Sequence, residues 1–122
     1  MEADERWIQA FNAGDVDTLV SLYTDDVVIM PPSEPSIHGR DAARAWMAAF
    51  FERNTARQDL VNEEVIVAGG WAFMRGRFDL AITPRGGGET VRGKGKHLVI
   101  WKRQKDGSWK AARDIWNRDG PP

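Results

Sequence analysis

Residues 71 to 80, WAFMRGRFDL, constrain the fold more than any other stretch, because they split into two sets when read every second residue. Ala72, Met74, Gly76, Phe78 and Leu80 form one set and are wholly apolar. Trp71, Phe73, Arg75, Arg77 and Asp79 form the other, two aromatics followed by three charges. A period of two is strand geometry, since successive side chains leave a strand on opposite faces. The segment is therefore a β-strand with two chemically different faces, and one of them needs a cover. Hydrophobic pattern alone turns the apolar set towards that cover and the charges towards water, because unpaired charges are costly to bury.

The rest of the chain supplies both the sheet and its cover. Further strands are predicted over 57–68, 91–104 and 109–117, with a tight turn at Gly69-Gly70 and a long connection at PRGGGE. Asp106-Gly107, between alternating runs, is a hairpin signal. The first half reads as helix. Trp7, Ile8 and Phe11 recur at helical spacing, and Gly14 supplies a left-handed cap. Asp15 caps a second helix carrying Val16, Leu19, Val20 and Tyr23, which Asp25-Asp26 terminate. VVIM, residues 27–30, is a short strand ended by Pro31-Pro32. A loop then leads to a third helix capped by Asp41, with Ala42, Ala45, Trp46, Ala49, Phe50 and Arg53 along one side. Three helices followed by a largely antiparallel sheet make one α+β domain over residues 1–122.

Composition excludes several classes of function. Lys and Arg number 17 against 18 Asp and Glu, a net charge of -1, which is no footprint for nucleic acid. There is no cysteine, so disulfides, thiolate nucleophiles and thiolate metal sites are excluded. His38 and His97 are the only histidines, and neither sits in a carboxylate–histidine cluster with ligand spacing, so no metal or cofactor is expected. The run GETVRGKG nearly spells a phosphate loop, but Gly95 stands where Ser or Thr is needed and a strand follows instead of a helix. MEADERW has neither a basic nor an apolar run of the secretory kind, and no segment has the roughly 20 apolar residues of a membrane span. A soluble, cytoplasmic protein is the expectation.

FNAGDVDTLVSLYTDDVVIMPP, HGRDAARAWM and GKHLVIWKRQKDGSWKAARDIWN together resemble the SnoaL-like and ketosteroid-isomerase-like proteins of the nuclear-transport-factor-like superfamily. The resemblance implies a cone-shaped, cystatin-like fold, in which three N-terminal helices lie across a strongly curved, largely antiparallel sheet and enclose one pocket. It covers nearly the whole chain and is specific for fold, not for function. It also withholds the isomerase mechanism. The family's general-base aspartate falls on Pro31, its oxyanion tyrosine on Trp7 and its protonated aspartate near Lys96.

In the resembled fold, the positions matching Arg75, Arg77 and Asp79 face the pocket, as do those of Arg92, Lys94 and Lys96 and, on the last strand, Ala112, Asp114 and Trp116. That orientation implies a pocket ringed by cations and suited to a small polar or anionic molecule. Asp114 is the expected acid or base and Asp79 the second candidate, with Lys96 stabilising negative charge. Arg75, Arg77, Tyr23, Met30, His38, Trp46, Phe50 and Trp116 are the expected ligand-binding residues. The apolar set, joined by His97, Val99, Trp101, Trp109, Ala111 and Ile115, would then lie on the convex side and be covered by a second copy, sheet to sheet. Two functions fit. One is a cofactor-free enzyme of the isomerase, dehydratase, cyclase or hydrolase type. The other is a non-catalytic ligand-binding or association module.

Overall fold

The computed structural model describes residues 1–120. Helix α1 (Glu2–Ala13) carries Glu2, Asp4 and Glu5 in its first turn, where the helix dipole favours negative charge. Gly14 ends it at φ 67, a left-handed conformation that glycine adopts without Cβ strain. Helix α2 (Val16–Ser21) begins where the Asp15 carboxylate accepts from the Thr18 amide at 3.2 Å. Helix α3 (Arg40–Arg53) starts after Gly39, so Asp41 lies in its first turn and is not its cap.

Strand β1 (Tyr23–Met30) is longer than VVIM and absorbs Tyr23, Asp25 and Asp26, which local pattern assigned to the end of a helix. Tertiary pairing overrides that pattern, with Tyr23 opposite Ala111 and the Ala111 amide donating to the Leu22 carbonyl at 2.8 Å. A short strand β2 (Ile37–His38) pairs with β1 where a loop was expected. Strands β3 (Asn54–Ala68), β4 (Trp71–Pro84), β5 (Val91–Arg103) and β6 (Trp109–Arg118) follow, in the sheet order β2-β1-β6-β5-β4-β3. All pairs are antiparallel except β1 with β6. The curved sheet is open, not a closed barrel, and the helices pack on its concave side. The Asp106-Gly107 turn is present, with Gly107 at φ 87 and Asp106 accepting from the Ser108 amide at 2.9 Å.

The alternation in β4 resolves in favour of hydrophobicity. Ala72, Met74, Gly76 and Phe78 are buried, and Arg75, Arg77 and Asp79 are exposed. On β5 the same inward face carries Gly95, His97, Val99 and Trp101, because Phe78 pairs with Gly95, Gly76 with His97, Met74 with Val99 and Ala72 with Trp101. The apolar set expected on the convex side therefore meets the helices, Ile115 alone excepted. Each large apolar side chain so buried stabilises the fold by roughly 1.5–3 kcal/mol, whereas turning the strand over would bury its charges.

Three irregularities adjust the register, one of them between Tyr23 and Val28 where β1 pairs with β6. Between β5 and β6, Ile100 pairs with Arg113 but Trp101 with Ala111, so Ala112 is an extra residue. Ala111 and Asp114 consequently share the inward face despite their odd spacing. Between β3 and β4, Asn62 pairs with Gly76 but Glu64 with Arg75, making Glu63 the extra residue.

Gly76 sits beside the Glu63 bulge with no room for a side chain, since a Cβ there would lie 1.9 Å from the Val61 carbonyl oxygen. Gly76→Ala is expected to lose about 1–3 kcal/mol of stability by forcing β3 and β4 apart, seen as a lower urea midpoint with an unchanged slope.

Candidate active site

The concave sheet and the three helices enclose a cavity of about 200 Å³. Its walls are largely aromatic. Helix α1 supplies Trp7 and Phe11, stacked at 5.3 Å, and α3 supplies Trp46, Phe50 and Phe51. The sheet supplies Met74, Phe78, Val99, Trp101 and Trp116, and the Trp46 and Trp116 rings approach to 6.1 Å. Helical spacing in α1 and alternation in β4 to β6 bring these residues together from distant parts of the chain.

A few polar groups interrupt this lining. Asp114 is only 8% exposed, and among the described residues no side chain hydrogen-bonds its carboxyl. Burial, reinforced by the negative charge of Asp4, pushes its pKa up to about 7. Asp4, on the first turn of α1, also borders the cavity and is itself buried, with its carboxyl shifted upward by desolvation. Tyr23 is buried at the cavity wall, and its hydroxyl accepts from Trp7 Nε1 at 2.9 Å, leaving the hydroxyl proton free to be donated. Burial and the nearby Asp114 hold the Tyr23 phenol protonated. His97 borders the cavity too, and burial lowers its pKa, so it is neutral near pH 7. Among the described residues no three His, Asp or Glu side chains converge as metal donors do.

The expected site residues divide accordingly. Asp114, Tyr23, Trp46, Phe50 and Trp116 line the cavity. Lys96 does not. It projects from the convex face and pairs with Asp119 at 2.7 Å. Asp79 lies on the same face, 3.7 Å from Lys94. Arg75 pairs with Glu64 at 2.9 Å, and Arg77 is exposed beside it. The ring of inward cations is therefore absent, and Arg118 is the sole Lys or Arg bordering the cavity among the described residues. Met30 is half-buried at the end of β1 outside the lining, whereas Ile29, Pro31 and Pro32 contribute to it. His38 is exposed on β2.

Asp4, His97 and Trp101 are cavity residues that the sequence reading passed over as site residues. The signal for His97 and Trp101 was their alternation with Val99, which places all three on whichever face meets the helices. Asp4 had none beyond a helix first turn, where acidic residues are ordinary.

A family profile described as SnoaL-like domain matches residues 5–112. Among proteins of curated function, none matches. The fold is shared with solved structures. A ketosteroid isomerase-like protein from Erwinia carotovora atroseptica is 26% identical with a TM-score of 0.89, over 98% of this chain and 93% of that one. A conserved protein from Planctomyces limnophilus is 28% identical with a TM-score of 0.88, over 96% and 92%. An NTF2-like protein with a cystatin-like fold from Novosphingobium aromaticivorans is 20% identical with a TM-score of 0.79, over 98% and 80%.

The raised Asp114 pKa has a definite sign in stability. Its folded value of about 7 exceeds the ordinary 3.8, so its contribution is complete below about pH 4 and is lost as pH rises towards 7. The stability difference between wild type and Asp114→Asn should therefore fall by roughly 1.4 kcal/mol per pH unit across that window, against the wild type, in urea titrations at several pH values.

Proposed function

The chain belongs to the SnoaL-like domain family, and within it we propose a cofactor-free acid–base enzyme acting on a small, neutral, largely apolar molecule. The observation that carries this reading is Asp114, a buried carboxyl with a pKa of about 7 in an aromatic cavity. Such a group is part acid and part base near neutral pH, so it can take a proton from one atom of a bound molecule and return it to another. Tyr23, whose hydroxyl already accepts from Trp7, donates its proton to oxygen that gains negative charge during the transfer. The aromatic walls exclude water and strengthen both interactions. This chemistry suits isomerisation, dehydration or cyclisation. A neutral ligand replaces the polar or anionic one expected from sequence, because Arg118 alone of the Lys and Arg side chains borders the cavity among the described residues, against the carboxyl groups of Asp4, Glu34 and Asp114.

The direct test is deuterium exchange. Bicyclic ketones such as 2-tetralone, incubated with the protein in D2O, should exchange their α-protons faster than in buffer. Asp114→Asn should reduce that acceleration by roughly 10²- to 10⁴-fold. Binding without any accelerated exchange across a series of such ketones would leave the non-catalytic ligand-binding module as the function.

The convex face supports a second reading, that of association. Ile66, Trp71, Phe73, Leu98 and Ile115 are all more than a third exposed there, and Asp79 and Glu64 share the face with Arg77 and Lys96. We propose that a second copy covers it, since a two-fold axis lets such a patch of both signs meet itself. Sedimentation should give a dimer for the wild type and a monomer for Phe73→Asp, and a monomeric wild type would remove the proposal.

A further inference from the structure

The cavity is bordered by two buried carboxyls with unequal partners. Asp4 comes from the first turn of α1 and Asp114 from β6, and they are 7% and 8% exposed. Asp4 Oδ2 accepts from the side-chain amide of Asn62 on β3. Asp114 has no such donor among the described residues.

The Asn62 amide is itself held in one orientation. Asn62, Gly76 on β4 and His97 on β5 lie side by side in register. Gly76 has no side chain, so Asn62 Oδ1 and His97 Nε2 meet across it at 3.1 Å. A carbonyl oxygen only accepts, so the His97 ring donates there and the Asn62 NH2 is left to face Asp4. A donor aimed at a carboxyl oxygen favours its ionised form. The helix dipole at the first turn of α1 acts in the same direction.

Two like charges at one poorly solvated cavity oppose each other. The carboxyl with the donor therefore ionises first, and its charge holds the proton on the other. The remaining groups at the cavity leave this order intact. Tyr23 on β1 and His97 on β5 are neutral near pH 7. Glu34, which follows β1, and Arg118 on β6 are exposed, so water and salt screen them. The lining residues of α2, α3, β3 and β4 carry no charge. Glu5 and the Met1 amino group act on Asp4 with opposite signs. Asp4 is accordingly the charge that Asp114 feels.

We propose that Asp4 and Asn62 are positioning residues that decide where the cavity's proton sits: Asn62 keeps Asp4 ionised, and the Asp4 charge keeps the proton on Asp114. Neither residue needs to touch the bound molecule, and Asp114 alone exchanges a proton with it. That consequence for catalysis rests on the function proposed above, whereas the location of the proton does not.

The test is carboxyl NMR of the full chain labelled with 13C-aspartate and titrated with pH, the Asp4 and Asp114 signals being assigned by their loss in Asp4→Asn and Asp114→Asn. As pH rises through wild type, Asp4 should lose its proton first and Asp114 later, near pH 7. Asp4→Asn keeps an oxygen for Asn62 but removes the charge, and should lower the Asp114 midpoint by on the order of 1 pH unit. Asp4→Ser serves if the asparagine protein does not fold. Asn62→Leu should raise the Asp4 midpoint and draw the two titrations together. In the deuterium-exchange assay, the acid limb of the pH profile should move down with the Asp114 midpoint in Asp4→Asn. An Asp114 midpoint that ignores the loss of the Asp4 charge, or an Asp4 midpoint that ignores Asn62→Leu, would overturn the inference whatever the exchange rates. Titrations as expected with no accelerated exchange in wild type would uphold the proton's location and overturn the catalytic reading alone.

Discussion

Burial of one face of a curved sheet beneath three helices is the constraint on which the rest of this protein depends. The helices cover only the concave side, so that side must be the more apolar one. Met74, Phe78, Val99 and Trp101 meet that demand, and Arg75, Arg77, Asp79 and Lys96 are left outside as exposed, mostly paired charges. The cost of burying an unpaired charge exceeds what any family pattern can impose. The interior is consequently apolar and aromatic, and the few polar groups that remain inside acquire unusual properties.

Asp114 illustrates this. A carboxyl on an exposed strand would titrate near its ordinary value, yet the Ala112 bulge and the aromatic walls desolvate this one until its pKa reaches about 7. The surroundings that lend stability to the fold thus also make the acid. The concentration of titratable groups at one cavity, with Asp4, Tyr23 and His97 all shifted by burial, is the kind of arrangement found where protons are moved.

Glycine shapes the same interior by leaving space. At Gly95 a Cβ would lie 2.5 Å from Phe78 Cζ, so the absence of a side chain is what seats the Phe78 ring across the strand. At Gly76 the missing side chain opens the contact between Asn62 and His97. In both places the residue that matters to the cavity is placed by a neighbour with nothing to contribute but room.

Much of the architecture was legible from local patterns. The period of two in WAFMRGRFDL, the Gly14 and Asp15 caps, the Gly69-Gly70 turn and the Asp106-Gly107 hairpin are short-range signals, and each element they mark is present. The aromatic spacing of α1 and α3 marked Trp7, Phe11, Trp46 and Phe50 as inward. What local pattern could not settle was anything decided by a partner strand or by a one-residue shift. Tyr23 and Asp25-Asp26 read as a helix end until pairing with β6 drew them into β1. The inward face of β4 and β5 was set by the helices that cover it, and the bulge at Ala112 lets Asp114 face the interior. The sequence by itself determined the three helices, the four long strands that β2 and the start of β1 supplement, and the two-faced sheet, because these follow from short-range periodicity and turn chemistry. Only the tertiary structure decided which face became the cavity and which carboxyl became its acid, because burial and pairing depend on residues far apart in the chain.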